Sequence, residues 1–338
     1  NMLQTHVEKI SGELRVATRW VAAAIGLLDG GATVPFITRY RKEATDSLDE
    51  VAVTRVRDRL EQLRDLDQRR KAILTSLEER ELLTPKLAAS INAAQNMAIL
   101  EDIYLPYRPK RRTRATIARE KGLEPLAEII WRQDETDPLQ AAAHYVDPEA
   151  GVETAADALS GSRDIMAEWV SEDYAARASM RRRFLTEGII ASKVAGGRPD
   201  QAIKYRDYYD WQEPVAAVTS HRLLAMLRGE RESMLTVHVQ PEEAEALIGL
   251  ESLFVKGDGL SSQQMRLAVH DGYKRLLSPS METEARNVIK QRADETAIQV
   301  FASNLRQLLL APALGEKNVL ALDPGFRTGC KLVCLDRQ

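Results

Sequence analysis

Between Tyr104 and Lys121, seven cationic side chains (Arg108, Lys110, Arg111, Arg112, Arg114, Arg119 and Lys121) stand against one acid, Glu120. Charges this closely spaced lose their hydration if buried alone, so the stretch must be exposed or partnered. Arginine predominates, and its planar fork matches a pair of phosphate oxygens. Tyr104 and Tyr107 add rings on which a base can stack. The chemistry these residues suit is phosphate binding, not bond making. A second reading stays open, in which the stretch is a solvated loop or its arginines pair with acids such as Glu101 and Asp102. The residue types do not separate RNA from DNA.

A shorter basic stretch, Arg39-Tyr40-Arg41-Lys42, follows a turn at Pro35. Glu43 comes next, so an intramolecular salt-bridge cluster competes there with nucleic-acid contact. Asp323 is the residue best placed for catalysis. A carboxylate at the end of a strand can hold a divalent metal for phosphodiester hydrolysis. The simpler reading, favoured within this chain, is that it opens an Asp-Pro-Gly turn. The five histidines lack ligand spacing, and Cys330 and Cys334 form a C-x3-C pair with no nearby His. His221, among Arg222, Arg228 and Arg231, has no nucleophile beside it and reads as structural. The aromatic cluster in 204–214 is interleaved with Asp207 and Asp210, which favours packing over stacking. The expectation is a non-catalytic protein with no metal, no cofactor and no small-molecule substrate.

The elements that must position these residues follow from composition. The chain has 338 residues, 44% hydrophobic and 29% charged, with few aromatics and a net charge of −3. It can bury real cores, and any attraction to nucleic acid must be local. Two cysteines exclude a disulfide scaffold and fit a reducing compartment. No run of about 18 apolar residues occurs and no leader opens the chain, which reads as cytoplasmic and free of membrane partners.

Apolar spacing predicts a helix over 14–28 stopped at Gly30-Gly31, and a long helix to about Arg80 with Val56, Leu60, Leu63, Ile73, Leu74 and Leu77 inward. Ser47 and Glu50 fit a capping box at its start. Thr84-Pro85 opens the next helix, and 115–131 and 153–187 also read as helical. Residues 188–197 suggest a short strand or loop, and 234–239 alternate as a strand. The helical pattern returns over 261–310, with Ile289, Ile298, Phe301, Leu305, Leu308 and Leu309 as core candidates. Val319–Leu322 and Cys330–Leu335 read as two strands around the Asp-Pro-Gly turn. A hairpin alone is marginal in water, so the chain is expected to be a fragment of a longer protein. The fold class is mainly α with minor β. The expected regions are 1–130, 131–316 and 317–338.

Four segments, in order, carry a family resemblance: LLDGGATVPFITRYRKEATDSLDE, LEDIYLPYRPKRRTRATIAREKGLEPLA, SHRLLAMLRGERE and VLALDPGFRTGCKLV. Together they resemble the Tex family of bacterial transcription accessory proteins, over nearly the whole chain. The resemblance implies an N-terminal helical region with a helix-turn-helix-like element, followed by an RNase H-like (YqgF-type) domain. On that pattern Val319–Leu335 is the opening hairpin of the second domain and Asp323 its first-strand aspartate. It also implies partners: nucleic acid, RNA before DNA, and the transcription or translation machinery. The candidate contact residues are Arg108, Lys110, Arg111, Arg112, Arg114, Arg39, Arg41 and Lys42.

Overall fold

A computed structural model describes residues 2–197, 203–311, 315–325 and 329–337. Helices hold 68% of the chain, and the strands are few and antiparallel, as the composition implied. The chain divides into two compact units. One holds the residues up to Ile117 together with Glu172–Tyr174, and the other holds the remainder.

In the first unit, α1 (Met2–Leu14) and α2 (Thr18–Asp29) are separated at Arg15, whose left-handed φ of 55° breaks the helix. The apolar pattern alone had joined Leu14 to α2 and missed α1. Gly31, at φ 83°, turns the chain into α3 (Val34–Tyr40), where the Thr33 hydroxyl accepts from the Phe36 N–H and Pro35 sits in the first turn. Then comes α4 (Glu50–Glu79), 30 residues and about 45 Å long. The Ser47 capping box is not formed. Asp46 and Ser47 adopt φ of 52° and 59° and reverse the chain, with the Ser47 N–H bonded to the Lys42 carbonyl at 2.8 Å. The cap is Asp49, whose Oδ1 accepts from the Ala52 N–H at 2.7 Å. Next follow α5 (Pro85–Ala93), capped by Thr84, α6 (Met97–Tyr104), capped by Asn96, and α7 (Arg114–Glu120).

The long helix organises this unit. Val53 packs with Val34 and Ile37 of α3. Val56, Leu60 and Leu63 meet α1 and α2 through Val7, Ile10, Val21, Ala24 and Ile25. Leu66, Ile73 and Leu77 meet α5 and α6 through Leu87, Ile91, Leu100 and Tyr104. The break in the apolar stripe is filled by Arg70, which donates to the Ala94 carbonyl at 3.0 Å and the Ile91 carbonyl at 3.3 Å. Arg70 also pairs with Asp67, which lies 2.7 Å from His6 Nε2.

The second unit opens with α8 (Glu124–Arg132), separated from α7 at Gly122, whose φ is 76°. It continues with α9 (Pro138–Ala143), α10 (Ala155–Glu172) and α11 (Tyr174–Thr186). A three-stranded antiparallel sheet in the order β2-β1-β3 follows, built of β1 (Ile189–Val194), β2 (Asp210–Pro214) and β3 (Leu235–Gln240). Leu235, Val237 and Val239 of β3 are buried, and the residues between them are exposed, the alternation expected of a half-buried strand. Between β2 and β3 lies α12 (Ser220–Arg231), and after β3 come α13 (Glu243–Phe254) and α14 (Leu260–Gly272). A π-helical turn, Tyr273–Leu277, leads into α15 (Ser278–Leu310), which packs on α12 and β3.

Two expectations need correction here. Met281, Ala285, Ile289 and Ala293 of α15 are buried, but Ile298, Phe301, Leu305, Leu308 and Leu309 are exposed. The first half of the helix carries the buried positions, and the apolar pattern continues beyond them. The final hairpin pairs β4 (Val319–Gly325) with β5 (Gly329–Leu335). Asp323, Pro324 and Gly325 lie inside β4, opposite Lys331, Cys330 and Gly329, so they are not the turn. The connection at 326–328 lies outside the described residues. Among the described residues no helix is long and apolar enough to cross a membrane.

The cap assignment is testable. Asp49→Ala should lower stability by about 1 kcal/mol, whereas Ser47→Gly should raise it, because glycine accepts the left-handed conformation without strain. Urea denaturation of the two variants checks this, and the reverse order would restore Ser47 as the cap.

Candidate nucleic-acid interface

The basic loop is presented by the far end of α4. Arg69 forms a two-point pair with Glu101 of α6, Nε to Oε1 at 2.5 Å and Nη2 to Oε2 at 3.1 Å, and its guanidinium lies 5.6 Å from the Tyr104 ring centroid. The hydrogen bond with Glu101 raises the Arg69 pKa. Tyr104 itself is only 6% exposed and belongs to the core cluster, so its ring cannot stack on a base. Tyr107 is half-buried and packs against the same cluster. The sequence placed both rings beside arginines, but α6 carries its apolar face through Tyr104 into a 3-10 turn, Leu105–Tyr107. Arg80, just past α4, donates to the Tyr107 carbonyl at 2.5 Å and fixes where the loop leaves the core.

From Arg108 the chain runs without regular structure, bending at Arg112, to Thr113, whose hydroxyl accepts from the Thr116 N–H at 3.0 Å at the start of α7. The cations of this stretch divide by partner. Lys110 Nζ lies 2.6 Å from Glu172, and its side chain is only 24% exposed. Arg112 also has an intramolecular partner. Farther along, Lys121 Nζ donates to the Gly151 carbonyl at 2.7 Å. Arg119 bridges Glu124 at 2.9 Å and Glu168 at 2.8 Å. Burial works against the Arg119 charge, but hydrogen bonds to Glu168 and Glu124 outweigh it and raise the pKa. Arg108, Arg111 and Arg114 are exposed, and among the described residues they form no ion pair. Glu101, offered by sequence as a partner for the loop, is taken by Arg69 of α4.

The second basic stretch sits at the other end of α4. Val34 and Ile37 anchor α3 beside Val53, leaving Arg39, Tyr40, Arg41 and Lys42 exposed. From Val53 to Arg80 the helix axis advances about 40 Å, so the two basic stretches are not one patch. Asp323 is exposed on β4, and among the described residues no group of three or more His, Cys, Asp or Glu side chains is arranged to hold a metal.

Two features escaped the sequence reading. Trp131 and Trp169 meet edge to face, 5.3 Å between centroids, in a notch also lined by Glu128 and Arg132. A groove of about 750 Å³ beside α1 and α4 is lined by Leu3, His6, Asp67, Arg70 and Leu74 among others. Helical periodicity places each residue on a face, but it does not bring α8 to α10.

Comparison with known proteins fits this architecture. The model for a Tex-like protein N-terminal domain matches residues 4–78, and the model for a Tex central region-like segment matches residues 133–301. The class is thus a Tex-type helical protein. The chain belongs to the Tex family. It is 41% identical over 345 residues to "Protein tex" of Bordetella pertussis, covering 98% of this chain and 44% of that one. It is 40% identical over 338 residues to "Transcriptional accessory protein Tex" of Neisseria gonorrhoeae, covering 97% and 44%. A more distant relative is "S1 RNA-binding domain-containing protein 1" of Homo sapiens, at 25% identity over 94% of this chain and 33% of that one. The chain thus spans less than half the length of these relatives.

The division of the cations predicts different costs. Arg119→Met removes the pairs with buried Glu168 and with Glu124 and should destabilise by about 1–3 kcal/mol. Arg111→Ala should stay within about 0.5 kcal/mol of the parent, since it removes no intramolecular pair. Urea midpoints of the two variants measure this, and equal midpoints would contradict the division.

Proposed function

We propose that this chain acts in a transcription accessory factor as a non-catalytic scaffold that binds nucleic acid, RNA in preference to DNA. The observation that carries this reading is the exposed set Arg108 and Arg111, on a loop fixed at both ends, and Arg114, at the first position of α7. A net charge of −3 gives no general attraction to a polyanion, so such a local cluster must supply it. The names of two relatives, one a transcriptional accessory protein and one an S1 RNA-binding domain-containing protein, support the same direction. The transcription machinery is the protein partner that this reading implies.

Binding through phosphates releases counterions, so affinity should fall with salt by about 0.7 to 0.9 log units per contact and log unit of salt. Replacing Arg108, Arg111 and Arg114 together by Ala should shallow that slope by about two units. Fluorescence anisotropy of a labelled strand across a salt series tests this, and an unchanged slope with unchanged affinity removes the loop from the binding surface.

The non-catalytic part of the proposal has its own test. Asp323 is the residue whose carboxylate would serve an RNase H-like reaction. Incubation of the chain, and of a longer form extending past Gln338, with Mg²⁺ or Mn²⁺ and labelled strands should leave the strands intact. Cleavage that disappears in Asp323→Ala would replace the scaffold with a metal-dependent nuclease.

A further inference from the structure

At the end of α4 away from the basic loop, two aromatic rings stand in water on a short helix. Phe36 is 41% exposed and Tyr40 is 66% exposed, although the chain has only five Phe and nine Tyr. Four residues apart on α3, they share its outer side, with centroids 5.5 Å apart and planes at 43°. Val34 and Ile37 take the inner side and are buried. In contact with each other, the two rings form a small exposed apolar patch.

Three cations flank the rings directly in sequence. Arg39, Arg41 and Lys42 are exposed, and among the described residues none forms an ion pair. The Arg41 guanidinium lies 5.7 Å from the Phe36 ring centroid, presenting a flat cationic surface beside the rings. The acids that follow are Glu43, Asp46, Asp49 and Glu50, and Asp49 already caps α4. The salt-bridge cluster that Glu43 suggested in the sequence is not formed.

The backbone beneath is held in place. Arg41 N–H donates to the Ile37 carbonyl at 3.0 Å, and fully buried Thr45 donates through its hydroxyl to the Arg41 carbonyl at 3.3 Å. Ser47 N–H closes the turn on the Lys42 carbonyl. The backbone that carries the two rings and three cations is therefore fixed in this surface. Rings alone would suit any apolar partner, and cations alone any polyanion. Rings interleaved with unpaired cations match a ligand that alternates flat bases with phosphates.

We propose that Phe36 and Tyr40 form a stacking platform for unpaired nucleobases, with Arg39, Arg41 and Lys42 contacting the flanking phosphates of a single strand. This rests on the reading of the chain as a nucleic-acid binder and adds a second contact that discriminates single strands from duplex. A duplex keeps its bases stacked on each other and offers the rings nothing.

The test uses the 338-residue chain, a labelled oligouridylate, an abasic strand of equal length and a duplex of equal length. The Phe36→Ser, Tyr40→Ser double variant should bind oligouridylate on the order of tenfold more weakly. Its affinity for the abasic strand should be unchanged, and Tyr40→Trp in the parent should retain binding. Both rings are exposed, so circular dichroism and the urea midpoint should match the parent. A double variant that binds oligouridylate like the parent overturns the platform, as does an equal loss on oligouridylate and abasic strand. The latter outcome would make the patch electrostatic or a protein-docking face. A parent chain that ignores every strand at low salt overturns the broader reading as well. Binding that depends on Arg108, Arg111 and Arg114 alone overturns only the platform.

Discussion

A helix leaves its last carbonyls without intrahelical partners, and at the end of α5 those of Ile91 and Ala94 are met by a guanidinium from the middle of α4. Arg70 does this in the one stretch of α4 where the apolar stripe fails. Asp67 balances its charge and His6 of α1 joins Asp67, so three helices meet at one polar junction. Arg69, the next residue back, reaches α6 through Glu101. α4 therefore holds its neighbours by apolar packing along most of its length, and by charge at Arg69 and Arg70. Breaking such a junction on one side leaves polar groups buried without partners, which costs more than the pair contributes when whole. The position of the basic loop follows from this arrangement, because α6 is placed by Arg69 and the core, and Arg80 then fixes Tyr107.

Much of this architecture was legible in the residues. The apolar spacing located α4 and its inward positions Val56, Leu60, Leu63, Ile73 and Leu77, and the alternation over 234–239 located β3. Periodicity reports which face of an element is apolar, and it reports no more than that. It cannot tell whether a partner covers the face, which is why the end of α15 reads as core and is exposed. The residue pattern favours Ser47 as the cap, with Glu50 three residues on, whereas Asp49 holds that position because the backbone at 46–47 turns left-handed without a glycine to announce it.

The candidate site was legible as composition and not as geometry. Seven cations in a short stretch look alike on paper. In the fold, Lys110 finds Glu172 and Arg119 finds Glu168, acids far along the chain whose approach no local pattern encodes. Tyr104 looked like a ligand-facing ring because it precedes arginines, yet its place on the apolar face of α6 decides its fate. Phe36 drew no notice because its neighbours Val34 and Ile37 are equally apolar. Only the packing of α3 on Val53 shows which of these residues are turned outward.

The separation of the two basic stretches has a physical consequence. At physiological salt a charge is screened within about 8 Å, and Val53 and Arg80, beside the two clusters, lie about 40 Å apart along α4. Neither cluster strengthens the field of the other, so in the proposed function each would act alone on a short ligand. A strand long enough to touch both ends makes its second contact intramolecularly, at an effective concentration set by the length and stiffness of the segment between them. Affinity then depends on ligand length in a step and not in proportion, with the step at the length that spans α4. A rigid helix joined to its neighbours by Arg69, Arg70 and Arg80 is what keeps that span fixed. On the proposed reading, the charge junctions that position the loop also fix the distance between the two contacts.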